Sequence, residues 1–335
     1  MYDLELERLS ALISRGNYSR VALQLPDGFL GEPLTRIIET IRELNKNIEV
    51  FVNGDPCFGA CDLGIQPALT AGCEALFHFG HTPYAPKLSM DENCKLDIFY
   101  FEAKANISVR QVLEIAVRES RKRNLTSVGL ATTVQHIHKI STMEAMLKNA
   151  GLMIHVGEQT KRLLRGQVLG CDVGHLGSSL IDKIDGTIFV GGGRFHALAI
   201  LRKTKKPVLA VDPYNKQLTV LDDIDLRKYY QKRYAAVDSI KNAQRIGILV
   251  STKTGQYNQK LLQLAQDWLE LHGKTFLTVL VSTVIFPQLL NFPVDGWIST
   301  LCPRVALDDS EQLPLTIINL DELDWDQYIE SDFNK

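Results

Sequence analysis

The sequence predicts an α/β protein with three repeated α/β units, each with a mainly four-stranded parallel sheet, arranged about a pseudo-threefold axis. Short, nearly uninterrupted runs of Val, Ile and Leu are typical of parallel sheets that are buried on both faces. Segments with helical periodicity separate these runs, and the order of elements recurs three times, with opening strands at residues 21, 128 and 246. Each repeat also has a cysteine after one of its strands, at the same expected end of the sheet.

The repeats define the expected elements in chain order. We expect three domains, residues 1–105, 106–220 and 221–335, because 335 residues exceed what one hydrophobic core usually supports. A conventional two-domain α/β protein is the alternative. The predicted strands are Val21–Leu25, Ile48–Asn53, Ala75–Phe79, Ile98–Phe101, Val128–Thr132, Met153–Val156, Thr187–Val190, Val208–Val211, Ile246–Val250, Thr275–Val281, Trp297–Thr300 and Leu315–Ile318. The predicted helices are Leu4–Arg15, Pro33–Leu44, Val109–Arg123, Ser141–Ala150, Ala197–Lys203 and Gln259–His272.

Composition excludes several classes of partner. The net charge of -2 provides no overall basic field, so we expect neither nucleic acid nor an anionic membrane as a partner. No apolar run reaches the roughly 18 residues of a membrane-spanning helix. The first residues are acidic, unlike the basic start of a signal peptide, so we expect a cytoplasmic protein. Because that compartment keeps thiols reduced, the six cysteines are expected to be apolar filler or metal ligands.

Three cysteines stand out by position. Cys61 and Cys171 follow second strands and precede Asp, whereas Cys302 follows a third strand. Ligands of open parallel sheets bind beyond the carboxyl ends of the strands, where these cysteines are expected. If the three ends converge, three thiolates suit a 4Fe-4S cluster with one iron left open to a substrate. Buried cysteines without a ligand role, and a zinc site with three cysteines and a histidine, are the alternatives.

Loops at the same ends of the strands contain further polar residues and glycines. The Gly191–Gly193 run is not a dinucleotide fingerprint, and Ser251–Gln256 is not a phosphate-binding loop. Histidines at these ends are candidate proton acceptors, although a structural role is the alternative for each. The histidines considered are His78, His81, His136, His138 and His196.

Several motifs, taken together, resemble the diphthamide synthesis family, and its archaeal members in particular. The resemblance extends over about residues 21–309. The motifs are Leu25–Gly28, Gly54–Asp55, Gly59–Asp62, Gly191–His196, Ser251–Gln256 and Cys302–Arg304. The resemblance implies transfer of a 3-amino-3-carboxypropyl group from S-adenosylmethionine to a histidine of translation elongation factor 2, by radical chemistry that depends on a 4Fe-4S cluster. This reaction is the first step of diphthamide biosynthesis.

The resemblance also implies an assembly and a set of site residues. It implies a homodimer of three-domain subunits, with an electron-donating reductase as a further partner. Cys61, Cys171 and Cys302 are the cluster ligands that it implies. Candidate contacts to S-adenosylmethionine are Gly192, Gly193, Arg194, His196, Ser251, Thr252, Gln256 and Arg304. His81 and His196 are the candidate acceptors of the proton that the modified imidazole loses.

Two competing functions remain open at this point. Quinolinate synthase also resembles three α/β units around a three-cysteine cluster, which it uses as a Lewis acid in a dehydration. A non-catalytic partner subunit is the second alternative, because eukaryotic relatives pair two paralogues. The presence of all three cysteines favours a catalytic subunit.

Overall fold

The computed structural model describes residues 2–83, 96–253, 255–307 and 314–325. The chain divides into two compact units, residues 1–220 and 221–335. The prediction of an α/β protein with mostly parallel sheets is confirmed, and each of the twelve predicted strands is present within one residue at either end. Among the described residues, no helix combines the length and hydrophobicity that membrane crossing requires.

The first parallel sheet lies in the first 105 residues. Its four strands lie in the order β3-β2-β4-β5, and each adjacent pair is parallel. The elements are β1 (Tyr2–Asp3), α1 (Leu6–Gly16), β2 (Arg20–Gln24), α2 (Glu32–Leu44), β3 (Glu49–Val52), α3 (Ile65–Thr70), β4 (Ala75–Phe79), β5 (Asp97–Phe101) and β6 (Lys104–Ala105). The short strands β1 and β6 pair antiparallel in a separate two-stranded sheet.

The second sheet has five strands in the order β11-β10-β9-β7-β8. Four of them form parallel pairs, as predicted, and β11 is an addition. The elements are α4 (Arg110–Lys122), β7 (Ser127–Thr132), α5 (Val134–Ile137), α6 (Ile140–Asn149), β8 (Met153–Val156), α7 (Ser178–Ile181), β9 (Gly186–Val190), α8 (Arg194–Thr204), β10 (Val208–Asp212) and β11 (Gln217–Leu221).

The third sheet forms the core of the unit at residues 221–335. Its strands are parallel and lie in the order β13-β12-β14-β15. The elements are α9 (Asp223–Asn242), β12 (Arg245–Ser251), α10 (Gln259–Leu271), β13 (Thr275–Val281), α11 (Phe286–Leu289), β14 (Gly296–Ser299), α12 (Arg304–Leu307) and β15 (Thr316–Asn319). Helix α9 is not among the predicted helices. The Asp222 side chain caps it in a capping box with Asp225.

One strand order recurs in the three parallel sheets. In each, the second strand along the chain lies on one side of the first strand, and the third and fourth lie on the other side. The connections therefore leave the first and third strands in opposite directions. Ligands of open α/β sheets bind at such a switch point, beyond the carboxyl ends of the strands. The switch points lie between β2 and β4, between β7 and β9, and between β12 and β14.

Candidate active site

Cys61 lies beyond the carboxyl ends of the first sheet, in the loop between β3 and α3. The residue is partly exposed, and the next residue, Asp62, is buried. Gln24, the last residue of β2, donates from Nε2 to the Asp62 carbonyl oxygen at 2.7 Å. Its Oε1 accepts a hydrogen bond from the Gly64 backbone N–H at 3.0 Å. The end of strand β2 therefore fixes the loop on the carboxyl side of Cys61.

Two histidines continue this hydrogen-bond network from Gln24. His78 Nδ1 lies 2.9 Å from Gln24 Oε1, and His78 Nε2 lies 2.9 Å from His81 Nδ1. His78 is fully buried at the end of β4, whereas His81 is partly exposed in the loop that follows. Burial lowers the pKa of His78 to about 3 and that of His81 to about 4. Both rings are therefore neutral near pH 7.

Cys57 lies beside these two imidazoles. Its sulfur atom and one ring nitrogen from each of His78 and His81 lie within 4.8 Å of one another. Cys57 is buried, in contrast to Cys61 four residues later. A thiol and two imidazoles are ligands that zinc and other transition metals accept, so this group is a second candidate metal site.

Cys171 lies at the tip of a tight turn between β8 and α7. Leu169 and Asp172 exchange backbone hydrogen bonds across the turn, and Cys171 is exposed. The preceding residue, Gly170, packs against the Phe195 ring so closely that a Cβ there would lie 1.8 Å from a ring carbon. A larger residue at this position would require the Phe195 ring to move. This contact places the Cys171 turn against the start of helix α8.

The glycine-rich segment that follows β9 leads directly into α8. Gly192 and Gly193 are exposed, and Gly193 has a φ of 82°, which is unfavourable for other residues. Arg194, the first residue of α8, is exposed. The His196 ring stacks on Phe189 with centroids 5.8 Å apart. These residues occupy the switch point of the second sheet, as their position after a third strand predicts.

Hydrogen bonds join the carboxyl ends of the first two sheets. Gln135, in α5 after β7, donates to the Gly80 carbonyl oxygen at 2.7 Å. Gln167, four residues before Cys171, donates to Thr82 Oγ1 at 3.1 Å. Gly80 and Thr82 flank His81, which bonds through His78 and Gln24 to the loop of Cys61. The segments that contain Cys61, His81 and Cys171 are thus linked within the unit at residues 1–220.

In the third sheet, the residues predicted for the site also lie beyond the carboxyl ends of the strands. Ser251, at the end of β12, is buried, and its hydroxyl lies 3.3 Å from Gln256 Oε1. Thr252 is exposed, and its backbone N–H donates to the carbonyl oxygen of Val281 at the end of β13. Cys302 follows β14 and is partly exposed, and Arg304 is exposed at the start of α12. These residues flank the switch point between β12 and β14.

A buried ion pair supports the Cys302 segment from behind. Arg233 of α9 donates to both carboxylate oxygens of Glu322, at 2.8 and 2.6 Å. It also donates to the carbonyl oxygens of Ala306 in α12 and Ile317 in β15. Asn319 Nδ2 then donates to the carbonyl oxygen of Pro303, the residue after Cys302, at 3.3 Å. The ion pair ties three elements around the cysteine loop.

The remaining cysteines differ from these three in position. Cys73 is buried in an apolar cluster with Ala68 and Leu76, and burial raises the pKa of its thiol. Its environment opposes the thiolate that metal binding requires. Cys94 lies outside the described residues.

Several residues of the site were not predicted from the sequence. Gln24, Gln135, Gln167 and Arg233 are single polar residues without a motif, so position alone identifies them only once the sheets are known. His78 was considered as a proton acceptor, but its buried bond to Gln24 was not foreseen. A polar residue at the end of an apolar strand is the one signal that identifies both Gln24 and His78.

Comparison with known proteins gives a family and a group of relatives. The family model described as "Putative diphthamide synthesis protein" matches residues 25–325. The 2-(3-amino-3-carboxypropyl)histidine synthase of Pyrococcus horikoshii is 31% identical over 310 residues, which cover 91% of this chain and 82% of the relative. The protein of the same name from Methanocaldococcus jannaschii is 27% identical and covers 99% of this chain and 95% of the relative.

Solved structures agree with these sequence matches. The crystal structure of Dph2 from Pyrococcus horikoshii superimposes with a TM-score of 0.84 at 28% identity, over 96% of this chain and 90% of that chain. The crystal structure of that protein with a 4Fe-4S cluster has the same TM-score and coverage at 29% identity. The likeness thus extends over nearly the whole of both chains.

Proposed function

The chain belongs to the diphthamide synthesis protein family, and from this membership we propose that it is a 2-(3-amino-3-carboxypropyl)histidine synthase. It transfers a 3-amino-3-carboxypropyl group from S-adenosylmethionine to a histidine of translation elongation factor 2, the first step of diphthamide synthesis. One observation carries the proposal. Three sheets that share one order of four parallel strands each present a cysteine beyond their carboxyl ends, in a chain that the family model matches from residue 25 to 325.

We propose that Cys61, Cys171 and Cys302 bind a 4Fe-4S cluster. Each of the three is at least partly exposed, in a loop where a thiolate can reach iron, whereas Cys73 is sealed in apolar surroundings. Thiolates are the usual ligands of such clusters, so the donor set fits. A pseudo-threefold arrangement of domains 1–105, 106–220 and 221–335 would bring the three loops together, and it is part of the proposal.

The net reaction defines what the other residues must do. When bound, the cluster supplies the single electron that breaks the bond between the sulfonium sulfur and Cγ of S-adenosylmethionine. Overall the reaction is redox-neutral, because this bond breaks, a carbon–carbon bond to imidazole C2 forms, and the C2 proton leaves. The products are methylthioadenosine and the modified histidine. The chain must therefore orient a sulfonium amino acid and accept one proton.

Residues at the switch points fit the first task. The guanidinium groups of Arg194 and Arg304 are exposed at helix starts, and each matches a carboxylate in a two-bond fork. Gly192 and Gly193 have no Cβ, so the backbone there can approach the methionine or adenosine part of the substrate. Ser251, Thr252 and Gln256 supply neutral hydrogen-bonding groups, and His196 supplies a ring nitrogen.

His81 fits the second task better than His196. It is neutral near pH 7, since its pKa is lowered to about 4, and it is partly exposed beside the loop of Cys61. A neutral imidazole has one nitrogen that accepts a proton. His196, in contrast, stacks on the Phe189 ring and meets the Phe195 ring edge-on, and both contacts restrict its movement.

The proposed partners follow from the reaction. The elongation factor is the protein substrate, and a reductase provides electrons. We also propose a cytoplasmic homodimer.

The first experiment measures the cluster itself. Protein purified without oxygen should be brown and contain about four iron atoms per chain. Cys61→Ala, Cys171→Ala and Cys302→Ala should each lose most of the iron and the visible absorption. Cys73→Ala is the matched control and should retain both. A colourless zinc protein, or three variants with unchanged iron, would refute the cluster.

The second experiment measures the reaction. Reduced protein, S-adenosylmethionine and elongation factor 2 should give methylthioadenosine and a modified histidine in equal amounts. A cluster that is intact but yields no methylthioadenosine would exclude this transferase. That outcome would favour Lewis-acid chemistry or a non-catalytic subunit.

A further inference from the structure

The hydrogen bonds around Gln24 fix the orientation of its side-chain amide. The Asp62 carbonyl oxygen can only accept, so the Gln24 atom bonded to it must be the Nε2 donor. The Gly64 backbone N–H can only donate, so the Gln24 atom bonded to it must be Oε1. Two backbone groups of the loop after Cys61 therefore determine the position of the amide oxygen.

This orientation determines which nitrogen of His78 carries the proton. His78 Nδ1 lies 2.9 Å from Gln24 Oε1, which can only accept, so Nδ1 is protonated. His78 is fully buried and its Nδ1 partner is a neutral amide oxygen, so the ring is uncharged and Nε2 has a free electron pair. Nε2 therefore acts as an acceptor towards its neighbour.

The same reasoning applies one step further along the network. His81 Nδ1 lies 2.9 Å from the accepting Nε2 of His78, so His81 Nδ1 carries a proton and donates it. The His81 ring also donates to the Phe79 carbonyl oxygen, and Nδ1 is the ring nitrogen that carries the proton. In the neutral ring the second nitrogen, Nε2, therefore has the free electron pair. Donation therefore runs without a break from His81 to His78 and on to Gln24, which in turn donates to the Asp62 carbonyl oxygen.

We propose that Gln24 and His78 are positioning residues that hold His81 in the tautomer with Nδ1 protonated and Nε2 ready to accept a proton. The proposal rests on the proposed function, in which His81 Nε2 receives the proton that leaves imidazole C2. No bond other than the N–H bond forms at His81. The loop that carries Cys61 thus also sets the protonation state of the acceptor.

A metal ion between Cys57, His78 and His81 is the competing use of the same atoms. Two imidazole nitrogens bound to one tetrahedral zinc at about 2.0–2.1 Å would lie about 3.3 Å apart. The observed distance of 2.9 Å between His78 Nε2 and His81 Nδ1 is that of a hydrogen bond instead. The spacing favours a shared proton over a shared metal.

Nitrogen NMR of histidine-labelled protein tests the tautomer directly. In the cluster-containing protein near neutral pH, we expect protonated Nδ1 and unprotonated Nε2 for both His78 and His81, assigned with His78→Gln and His81→Asn. His78→Gln retains an acceptor near the Nε2 position, whereas His78→Asn does not. His81 should therefore keep its tautomer in His78→Gln and lose it in His78→Asn.

The yield of modified histidine per methylthioadenosine is the functional measurement. We expect the yield to fall by about 100-fold in His78→Asn, the lower end of the usual contribution of a general base, and to be largely retained in His78→Gln. Methylthioadenosine formation itself should continue in both variants. Equal yields in the two variants, or a wild-type His81 protonated at Nε2, would overturn the proposal. One zinc or iron per chain beyond the cluster, lost from both His78 variants, would also overturn it.

The two proposals fail in different ways. If the wild-type protein forms no methylthioadenosine, the proposed function is wrong. The NMR spectrum of His81 tests the tautomer whatever the outcome of that reaction.

Discussion

Two buried polar networks support cysteine loops in this protein, and they are built from different chemistry. In residues 221–335, Arg233 and Glu322 form an ion pair behind the loop of Cys302. In residues 1–220, Gln24, His78 and His81 form a neutral network behind the loop of Cys61. Both replace a purely apolar core where a cysteine loop is held in place.

The difference lies in what each network leaves available. Arg233 donates to Glu322 and to two backbone carbonyl oxygens, and Glu322 also accepts from the Asn319 N–H. The ionic network is thus closed on itself and suited to mechanical support. The neutral network ends at a partly exposed imidazole with one electron pair free. An ionic network fixes a loop, whereas a neutral one can also deliver an oriented acceptor.

Removal of the buried cation should have the largest effect on stability. Arg233→Met leaves the Glu322 carboxylate buried without its partner, so the free energy of unfolding should fall by about 3–5 kcal/mol. Urea denaturation followed by circular dichroism measures this change. The ion pair Arg245–Asp295 lies exposed on the same sheet, so Arg245→Met is the matched control and should change stability little.

The double variant distinguishes the effect of an unpaired buried charge from the effect of changed side-chain packing. Arg233→Met with Glu322→Leu should recover much of the loss, because no unpaired charge remains. Similar losses for Arg233→Met and Arg245→Met would contradict the closed network. The iron content of the Arg233→Met protein then shows whether the Cys302 loop depends on this network.

Loss of the neutral network should have a smaller effect on stability. Gln24→Leu leaves the Gly64 N–H and the Asp62 carbonyl oxygen without this partner, so stability should fall by about 2 kcal/mol. Gln263→Leu, at an exposed bond to Asp267, is the control and should be nearly neutral. A Gln24→Leu protein with unchanged stability and unchanged His81 tautomer would remove Gln24 from the network.

The sequence predicted the sheets well because apolar strands leave a local pattern. Each opening strand, such as Ile246–Val250, is a continuous apolar run, and burial on both faces requires one. The cysteine loops were predicted because they follow such strands. Helix α9 was missed, since its buried stripe of Leu226, Arg233, Val237 and Ile240 includes a charged residue that interrupts the apolar pattern.

The networks themselves were beyond prediction from the sequence. Glu322 follows Arg233 by 89 residues, and His78 follows Gln24 by 54, so no local pattern connects either pair. The strand β11 was missed for a related reason. It is half exposed, and a single residue in it, Leu221, is buried. A polar contact between distant residues becomes predictable once strand order is known. Gln24 and His78 illustrate this, because they lie on the neighbouring strands β2 and β4.

The smallest predicted effect is a pH dependence that belongs to the neutral network. The pKa of His78 is lowered by burial from its ordinary value near 6.5 to about 3, so below pH 6.5 the unfolded chain binds a proton that the folded protein does not. The stability that depends on neutral His78 is present above pH 6.5 and is lost as the pH falls towards 3. At pH 5.5 this loss should be about 1.4 kcal/mol. His78→Gln lacks it, so its stability should fall less than that of the wild type between pH 7.5 and 5.5. Parallel pH profiles for wild type and His78→Gln would mean that His78 has the same pKa in the folded and unfolded protein, and is therefore largely protonated in the folded protein at pH 5.5. A protonated His78 has no free electron pair, so the neutral network could then not orient His81.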